Sequence, residues 1–321
     1  MAQPTNLTDG FDVIGKREDL VDMIYNISPD ETPFFTLCAK TTAKNAYHEW
    51  QTDTLATPAA NRQIDGDDAT GTAFAATTRL GNYCQISTKN PMVSRRADKT
   101  SKAGRASEMN YQLAKMGKEL KLDVEYALVT NQASSAGGSA TASSCGSLES
   151  WLASNKTSLG TAGTPTTPPY SGGVVSPTDA STPGTFVESA LKTILQGSYV
   201  NGGDPKIVMV GPFNKTKASA FAGIATQYKQ NTGKEKATII GAADWYVGDF
   251  GTVQIVPNRV QRDRTAFVLD MDYWAVAFFD NFRADELPKT GDSMKKQLLV
   301  DFTLEARNEK ASGKITDLTV T

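Results

Sequence analysis

The sequence has very little histidine: His48 is the only one among 321 residues. A Ser-His or Cys-His nucleophile pair, or a metal site with several histidines, would have to be built around that one residue. His48 lies in NAYHEWQTD, an alternating stretch that is typical of a β-strand, so a catalytic role for it is disfavoured. With no coherent set of nucleophiles or metal ligands elsewhere, we expect neither an enzyme nor a bound cofactor or metal.

Cysteine and basic charge are scarce as well. Cys38, Cys84 and Cys145 are odd in number and widely spaced, which argues against a disulfide framework and a zinc site and predicts buried thiols. The formal net charge of -2 lacks the basic excess of a protein that neutralises many phosphates. No stretch approaches the roughly 20 apolar residues of a membrane-spanning helix, and no secretory signal opens the chain. We therefore expect a protein of the reducing cytoplasm with no membrane partner.

Two short motifs look like chemistry but lack its context. Lys-Thr-Gly at residues 289–291 and Ser-x-x-Lys at 293–296 occur in penicillin-recognising enzymes, yet here they are adjacent and in reverse order. The acidic DGDDATG at residues 65–71 lacks the ligand spacing of a calcium loop. We interpret both as polar turns.

The N-terminal segment contains one helical pattern, followed by a stretch with two prolines. GKREDLVDMIYNI, residues 15–27, predicts a short amphipathic helix, and Pro29 and Pro33 follow it. Because proline favours extended backbone in the residue before it, SPDETPFF is predicted to be an extended connector. Its adjacent Phe34 and Phe35 cannot point the same way, so one is expected in its own core and the other against a neighbour.

Two alternating stretches then predict strands at residues 46–54 and 79–88, the second with Leu80, Cys84 and Ile86 on one face. The link between them is polar, small and rich in turns. A lone hairpin cannot bury enough surface to be stable in water. This hairpin is therefore expected to lie on another protein surface.

A single long helix is predicted over about residues 106–129, where apolar residues recur at steps of three and four. It would extend on the order of 35 Å. The stripe consists of Met109, Leu113, Met116, Leu120, Val124 and Ala127.

The rest of the chain mixes polar loops with further elements, which makes the fold class α+β. A Ser/Thr/Gly-rich block over residues 131–182 predicts exposed loops, within which only GSLESWLASN can dock. Thr185 and Glu188 have capping-box spacing before a helix with Val187, Leu191, Ile194 and Leu195 as its stripe. KIVMVG then predicts a buried strand and PFNKTKASAFAGI a second helix, and strands dominate the remainder.

In this order of parts the chain resembles the major capsid proteins of tailed bacteriophages with the Hong-Kong-97-type capsid fold. The phrases that carry the resemblance run in order along nearly the whole chain. They are ISPDETPFF, KELKLDVEYALVTNQ, GSLESWLASN, YVNGGDPKIVMVGPFNK, DFGTVQIVPNR and LPKTGDSMKKQLLVDFTLEARNEKASGKI.

The resemblance implies a division of the chain. Residues 1–45 would form an N-terminal arm and residues 46–98 an extended hairpin, the E-loop. Residues 99–135 and 273–321 would form a peripheral domain with a long spine helix and long antiparallel strands, and residues 136–272 an axial domain. Some relatives join their shells by an isopeptide bond from an E-loop lysine, but residues 49–88 contain no lysine. Packed contacts or a separate cement protein are expected instead.

The resemblance also implies function and partners. Many copies would assemble as pentamers and hexamers into an icosahedral head that encloses double-stranded DNA without sequence-specific binding. Scaffolding, portal and decoration proteins of the same phage are expected partners, the virion the final location and the host bacterial cytoplasm the place of assembly. Eight residues are predicted to contact neighbouring subunits: Phe34, Phe35, Trp50, Arg62, Asp65, Asp67, Arg95 and Arg96. The rival interpretation is a monomeric binding module or adhesin that uses the Ser/Thr/Gly-rich loops.

Overall fold

The structure is a computed structural model that describes residues 28–29, 31–68, 71–74, 76–102, 104–160, 174–221 and 245–320. The predicted helix at residues 15–27 lies outside these ranges. The helices are α1 (Pro33–Leu37), α2 (Arg95–Lys99), α3 (Glu108–Val129), α4 (Leu148–Trp151), α5 (Glu188–Val200) and α6 (Pro212–Ala218). The first strands are β1 (Ala39–Thr42), β2 (Tyr47–Thr52), β3 (Thr78–Tyr83), β4 (Gln85–Lys89), β5 (Met92–Ser94) and β6 (Lys156–Ser158). The later strands are β7 (Ile207–Val210), β8 (Trp245–Gly248), β9 (Gly251–Pro257), β10 (Ala266–Leu269), β11 (Trp274–Glu286), β12 (Ser293–Ala306) and β13 (Gly313–Thr316).

Helix α3 confirms the predicted long helix, and side-chain hydrogen bonds cap its N-terminus. The Ser107 side chain accepts from the backbone N–H of Asn110, and the carboxylate of Asp98 accepts from that of Glu108 at 2.8 Å. These acceptors satisfy donors that the first helical turn leaves free. Burial is uneven, because Leu113 and Met116 in the first half of the helix are only partly buried. No helix in the described ranges is long and apolar enough to cross a membrane.

A five-stranded sheet holds the long strands, in the order β1-β11-β12-β4, with β5 also paired to β12. β11 and β12 are antiparallel over most of their length, whereas β1 runs parallel to β11. Together with α3 and α4, this sheet encloses the larger core. Trp151 and Trp274 are among its largest fully buried side chains. The predicted docking of GSLESWLASN is confirmed by the burial of Leu148, Trp151 and Leu152.

A six-stranded sheet, β6-β13-β10-β7-β9-β8, forms the second body of the subunit with α5 and α6 against it. The predicted buried strand at β7 is confirmed, and so is the start of the predicted helix, with Pro212 in the first turn of α6. The helix ends at Ala218, earlier than predicted, and the last three residues of the predicted helix, 222–224, lie outside the described ranges. The predicted capping box is wrong, since Val187 occupies the N-cap position without a side-chain bond. Strand β13 joins this sheet, so the predicted peripheral segment of residues 273–321 divides between the two sheets.

Two predictions about local structure are wrong for identifiable reasons. The connector containing Phe34 and Phe35 is helical over Pro33–Leu37, because proline suits a first helical turn, where its missing N–H costs nothing. The predicted strand over residues 79–88 divides at Cys84 into β3 and β4, which pair with different partners. Ile86 is consequently 59% exposed, since a break in register changes the face on which side chains lie.

The Ser/Thr/Gly-rich block is less exposed than predicted. Cys145 and Val174 are buried in the larger core, and Ala180 donates its backbone N–H to Asp317 at 2.6 Å. Residues 161–173 of the block lie outside the described ranges. Small residues in these loops therefore pack closely against other elements as well as reaching solvent.

A buried ionic cluster joins α4 to β13 beneath these loops. Glu149 is 1% exposed and Lys314 4% exposed, and the Lys314 ammonium donates to the backbone carbonyl of Glu149 at 2.6 Å. Arg262 lies 3.8 Å from the Glu149 carboxylate, an ion-pair distance rather than a hydrogen bond. Burial raises the pKa of Glu149 to about 7 and lowers the pKa of Lys314 to about 8. Both charges are therefore held at a cost near neutral pH.

We expect Glu149→Gln to change how stability depends on pH. The pKa of Glu149 rises on folding, so its stabilising contribution is complete below 4.5 and is lost as the pH rises through about 7. The pKa of Lys314 is lowered on folding, so its stabilising contribution is lost as the pH falls through about 8 and is complete only above 10.5. Between pH 5 and 8 the unassembled wild-type chain should lose about 2–3 kcal/mol relative to Glu149→Gln in urea unfolding.

The exposed Glu286→Gln variant is the matched control for this titration, because Glu286 only pairs with Lys296 at the surface. Its pH profile should follow that of the wild-type chain. Parallel profiles for wild type and Glu149→Gln would show that the buried carboxyl does not titrate in this range.

Candidate inter-subunit surface

The hairpin of β2 and β3 is attached to the body of the subunit at its base. Trp50 donates its indole N–H to the backbone carbonyl of Ala306 at 2.9 Å, and its ring lies 5.4 Å from that of Trp151. The buried Asn82 side chain donates to the carbonyls of Gly146 and Leu304. These bonds hold one end of the hairpin against the end of β12 and against α4.

A carboxylate completes this attachment. Glu305 lies 3.3 Å from His48 Nε2 and accepts from the Thr41 hydroxyl at 3.0 Å and from Arg307 at 2.9 Å. These bonds, with that to His48 the largest cause, lower the pKa of Glu305 to about 2. The only histidine therefore has a structural place at the base of the hairpin.

The connecting loop beyond the hairpin strands, residues 53–77, makes no comparable contact through its described residues, 53–68, 71–74 and 76–77. Where the structure describes it, the loop contains three large apolar side chains that are nearly free in solvent: Leu55 at 99% exposed, Ile64 at 79% and Phe74 at 94%. Exposed apolar groups of this size are unfavourable in water. A loop of this kind is typical of a segment that another surface covers.

The polar residues predicted as contacts also lie on this loop. Arg62, Asp65 and Asp67 are all exposed, and Asp68 continues the acidic run. The backbone turns at this point, with the N–H of Asp67 donating to the Ile64 carbonyl at 3.1 Å. Gly66 between them has φ 82°, a conformation that glycine adopts without strain. The turn places the acids near the middle of the loop.

A second group lies on α2 and on the turn between β11 and β12. Arg95 and Arg96 are exposed, and Arg95 makes a 2.8 Å ion pair with Asp292 of that turn. Lys99 and Lys289 line the same shallow cleft, which has a volume of about 210 Å³. The cleft is thus basic at its rim.

The third group of predicted contact residues is the pair Phe34 and Phe35, which differ in how deeply they are buried. Phe34 is 0% exposed in the larger core, and its backbone N–H and that of Phe35 donate to the buried Glu125 carboxylate at 3.0 and 2.7 Å. Asn258 donates to the same carboxylate at 2.7 Å. The prediction that Phe34 contacts a neighbour is therefore wrong for this conformation, because its side chain has no exposed surface.

Phe35 keeps part of its surface open. Its ring meets those of Phe278 and Phe282 edge-on at 6.2 and 6.1 Å beside a cleft of about 510 Å³. Trp50, by contrast, is used mainly within its own subunit, as described above. The eight predicted residues therefore occupy separate places rather than one site.

Sequence reasoning missed several residues of this surface. Leu55, Ile64 and Phe74 were open to recognition as isolated apolar residues in a polar loop. The sequence around Lys289 did not indicate a contact residue, because only the fold brings Lys289 beside Lys99. Glu125 was a charged residue beside the apolar stripe of a long helix, which is a weak sign of a buried partner.

Similarity to known proteins extends over the whole chain. The Escherichia phage Phieco32 major capsid protein is 29% identical over 350 residues, covering 98% of this chain and 97% of that protein. The cyanophage A-1(L) capsid has a TM-score of 0.64 at 16% identity, covering 98% of this chain and 100% of that chain. The phage G structure, which contains major capsid and decoration proteins, has a TM-score of 0.56 at 8% identity. The match covers 99% of this chain and 100% of that chain.

The fold, including the hairpin of β2 and β3, is that of the Hong-Kong-97-type phage capsid proteins. More narrowly, a sequence model of the SU10 major capsid protein family matches residues 3–319, and the chain belongs to that family. It is a major capsid protein of a tailed phage, a structural protein and not an enzyme, whose copies form the shell of the virion. Family membership sets aside the rival interpretation of a monomeric adhesin.

Proposed function

We propose that the subunits form pentamers and hexamers in which each E-loop, residues 46–98, lies across an adjacent subunit. The N-terminal arm, residues 1–45, extends to a neighbour in the same way. Residues 99–135 and 273–312 act as the peripheral domain, and residues 136–272 with β13 as the axial domain. The observation that carries the proposal is the exposure of Leu55, Ile64 and Phe74, three large apolar side chains of the described part of the loop that their own subunit leaves uncovered.

The physical argument rests on what an assembled shell offers this loop. Burying a large apolar side chain contributes about 1.5–3 kcal/mol relative to leaving it in water. Three such side chains on each subunit contribute about 4 kcal/mol or more, before the ordering of the loop is subtracted. Because every subunit repeats the contact, even a modest gain per subunit favours a closed, symmetric assembly.

In this proposal the contacts between subunits of the shell are non-covalent. No lysine is present over residues 49–88 to form an E-loop isopeptide bond, so packing and a decoration protein would stabilise the shell. The phage G relative was solved with decoration proteins, which supports that class of partner. Scaffolding and portal proteins complete the assembly in the bacterial cytoplasm, and a nearly neutral wall confines the DNA without binding a particular sequence.

We expect replacement of Leu55, Ile64 and Phe74 by serine to impair assembly without unfolding the subunit. Loss of about 4 kcal/mol per subunit corresponds to a roughly thousand-fold higher concentration threshold for shells. Sedimentation over a concentration series measures that threshold, and circular dichroism measures the thermal midpoint.

A matched control replaces three polar residues of the same loop, Thr54, Gln63 and Thr72, by serine. The control should assemble at the wild-type threshold. If the apolar variant also assembled there, the loop would not be buried against a neighbour and the proposal would fail.

A further inference from the structure

The acidic turn, defined as Asp65, Gly66, Asp67 and Asp68, has no basic partner in the described part of its own chain. Among the described residues no ion pair involves its three carboxylates, and Asp65, Asp67 and Asp68 are all exposed. Arg62 nearby offsets only one of the three negative charges. The turn thus places a net negative charge near the middle of the exposed connecting loop.

The basic cleft, lined by Arg95, Lys99, Lys289 and Asp292 among others, shows the opposite imbalance. Asp292 is paired with Arg95. Asp98, the other acid of the cleft, accepts hydrogen bonds from the start of α3, including the Glu108 N–H at 2.8 Å. Within the described ranges no acid pairs with Lys99 or Lys289.

Arg96 adds a further exposed cation on α2, and no ion pair to it occurs among the described residues. The surface around the cleft therefore keeps a positive charge after its internal pairs are counted. At about 210 Å³ the cleft is smaller than the roughly 300–1,000 Å³ of small-molecule sites, so it suits one or two side chains.

We infer that the acidic turn of one copy binds the basic cleft of a second copy of this chain. The inference rests on the proposed function, because it names the surface on which the end of the E-loop lies. Residue 65 lies 13 residues from each paired strand end, Thr52 and Thr78, which allows a reach of about 40 Å. That reach is enough to cross to an adjacent subunit, and opposite charges favour the correct register.

A charge swap tests the pairing. Asp65→Lys, Asp67→Lys and Asp68→Lys together should abolish shells seen by negative-stain microscopy. Arg96→Glu, Lys99→Glu and Lys289→Glu together should do the same. Combining all six substitutions should restore shells, because the opposite charges meet again with their signs exchanged.

Lys206→Glu with Lys310→Glu provides the control, since both lysines are exposed elsewhere on the subunit. This control should assemble normally, and thermal midpoints should be unchanged in every variant, because all the residues lie on the surface. Shells in either one-sided variant, or no recovery in the combined variant, overturn the inference. Either result would leave the proposed function standing if the serine variant of Leu55, Ile64 and Phe74 still fails to assemble.

Discussion

Phe34→Ala is expected to destabilise the unassembled subunit by about 3–5 kcal/mol, the range for removing a fully buried aromatic side chain. Phe34 is 0% exposed in the larger core, and its backbone is held by the Glu125 carboxylate. The surrounding helix and sheet cannot close around the missing ring without moving. Urea unfolding of the purified subunit measures the loss, which should appear as lower soluble yield before assembly is tested.

Phe35→Ala is the matched control, since it removes the same side chain one residue away. Phe35 is only partly buried and meets two rings edge-on, so its loss should cost about 1–2 kcal/mol. Because Phe34 is fully buried, its loss should reduce solubility before it affects assembly. Equal losses for the two alanine variants would contradict the assignment of Phe34 to the core.

Deletion of residues 57–77, with a short Gly-Ser linker in their place, is expected to abolish regular shells altogether. The strands β2 and β3 remain paired up to Thr52 and Thr78, and the anchoring contacts of Trp50 and Asn82 lie outside the deletion. The subunit should therefore stay folded. Negative-stain microscopy and sedimentation would show single subunits or small capsomers in place of shells.

Replacement of the same residues by a Gly-Ser stretch of equal length separates reach from contact. This longer variant can still span to a neighbour, but it lacks Ile64, Phe74 and the acidic turn. We expect it to fail as well, because binding requires the side chains. Regular heads from either variant would contradict the role of the loop in assembly.

The parts of the fold that could be predicted were those with strong local patterns. The apolar stripe around Leu120 and Val124 predicted α3 within two residues, since a 22-residue helix repeats its signal over six turns. Pro212 likewise marked the start of α6. The break at Cys84 could not be read, because it depends on β4 pairing with β12 more than 200 residues away. Whether a short segment forms a strand, and where that strand ends, depends on such distant partners.

The surface was predictable only in outline. A hairpin with a long polar link indicated a segment that needs a neighbour, and Asp65 and Asp67 were recognised as exposed. Which of Phe34 and Phe35 enters the core could not be decided, because a stretch of two aromatic residues has no period. The meeting of Lys99 with Lys289 required the tertiary structure, since 190 residues separate them in the chain.

The central claim is that the loop over residues 53–77 is completed by an adjacent subunit. Cryo-electron microscopy of assembled shells tests it most directly, at a resolution that shows side chains. The account predicts density for this loop on the neighbouring subunit, with Leu55, Ile64 and Phe74 buried there. Density for the loop against its own subunit, or a loop standing free in solvent in the finished shell, would contradict the claim.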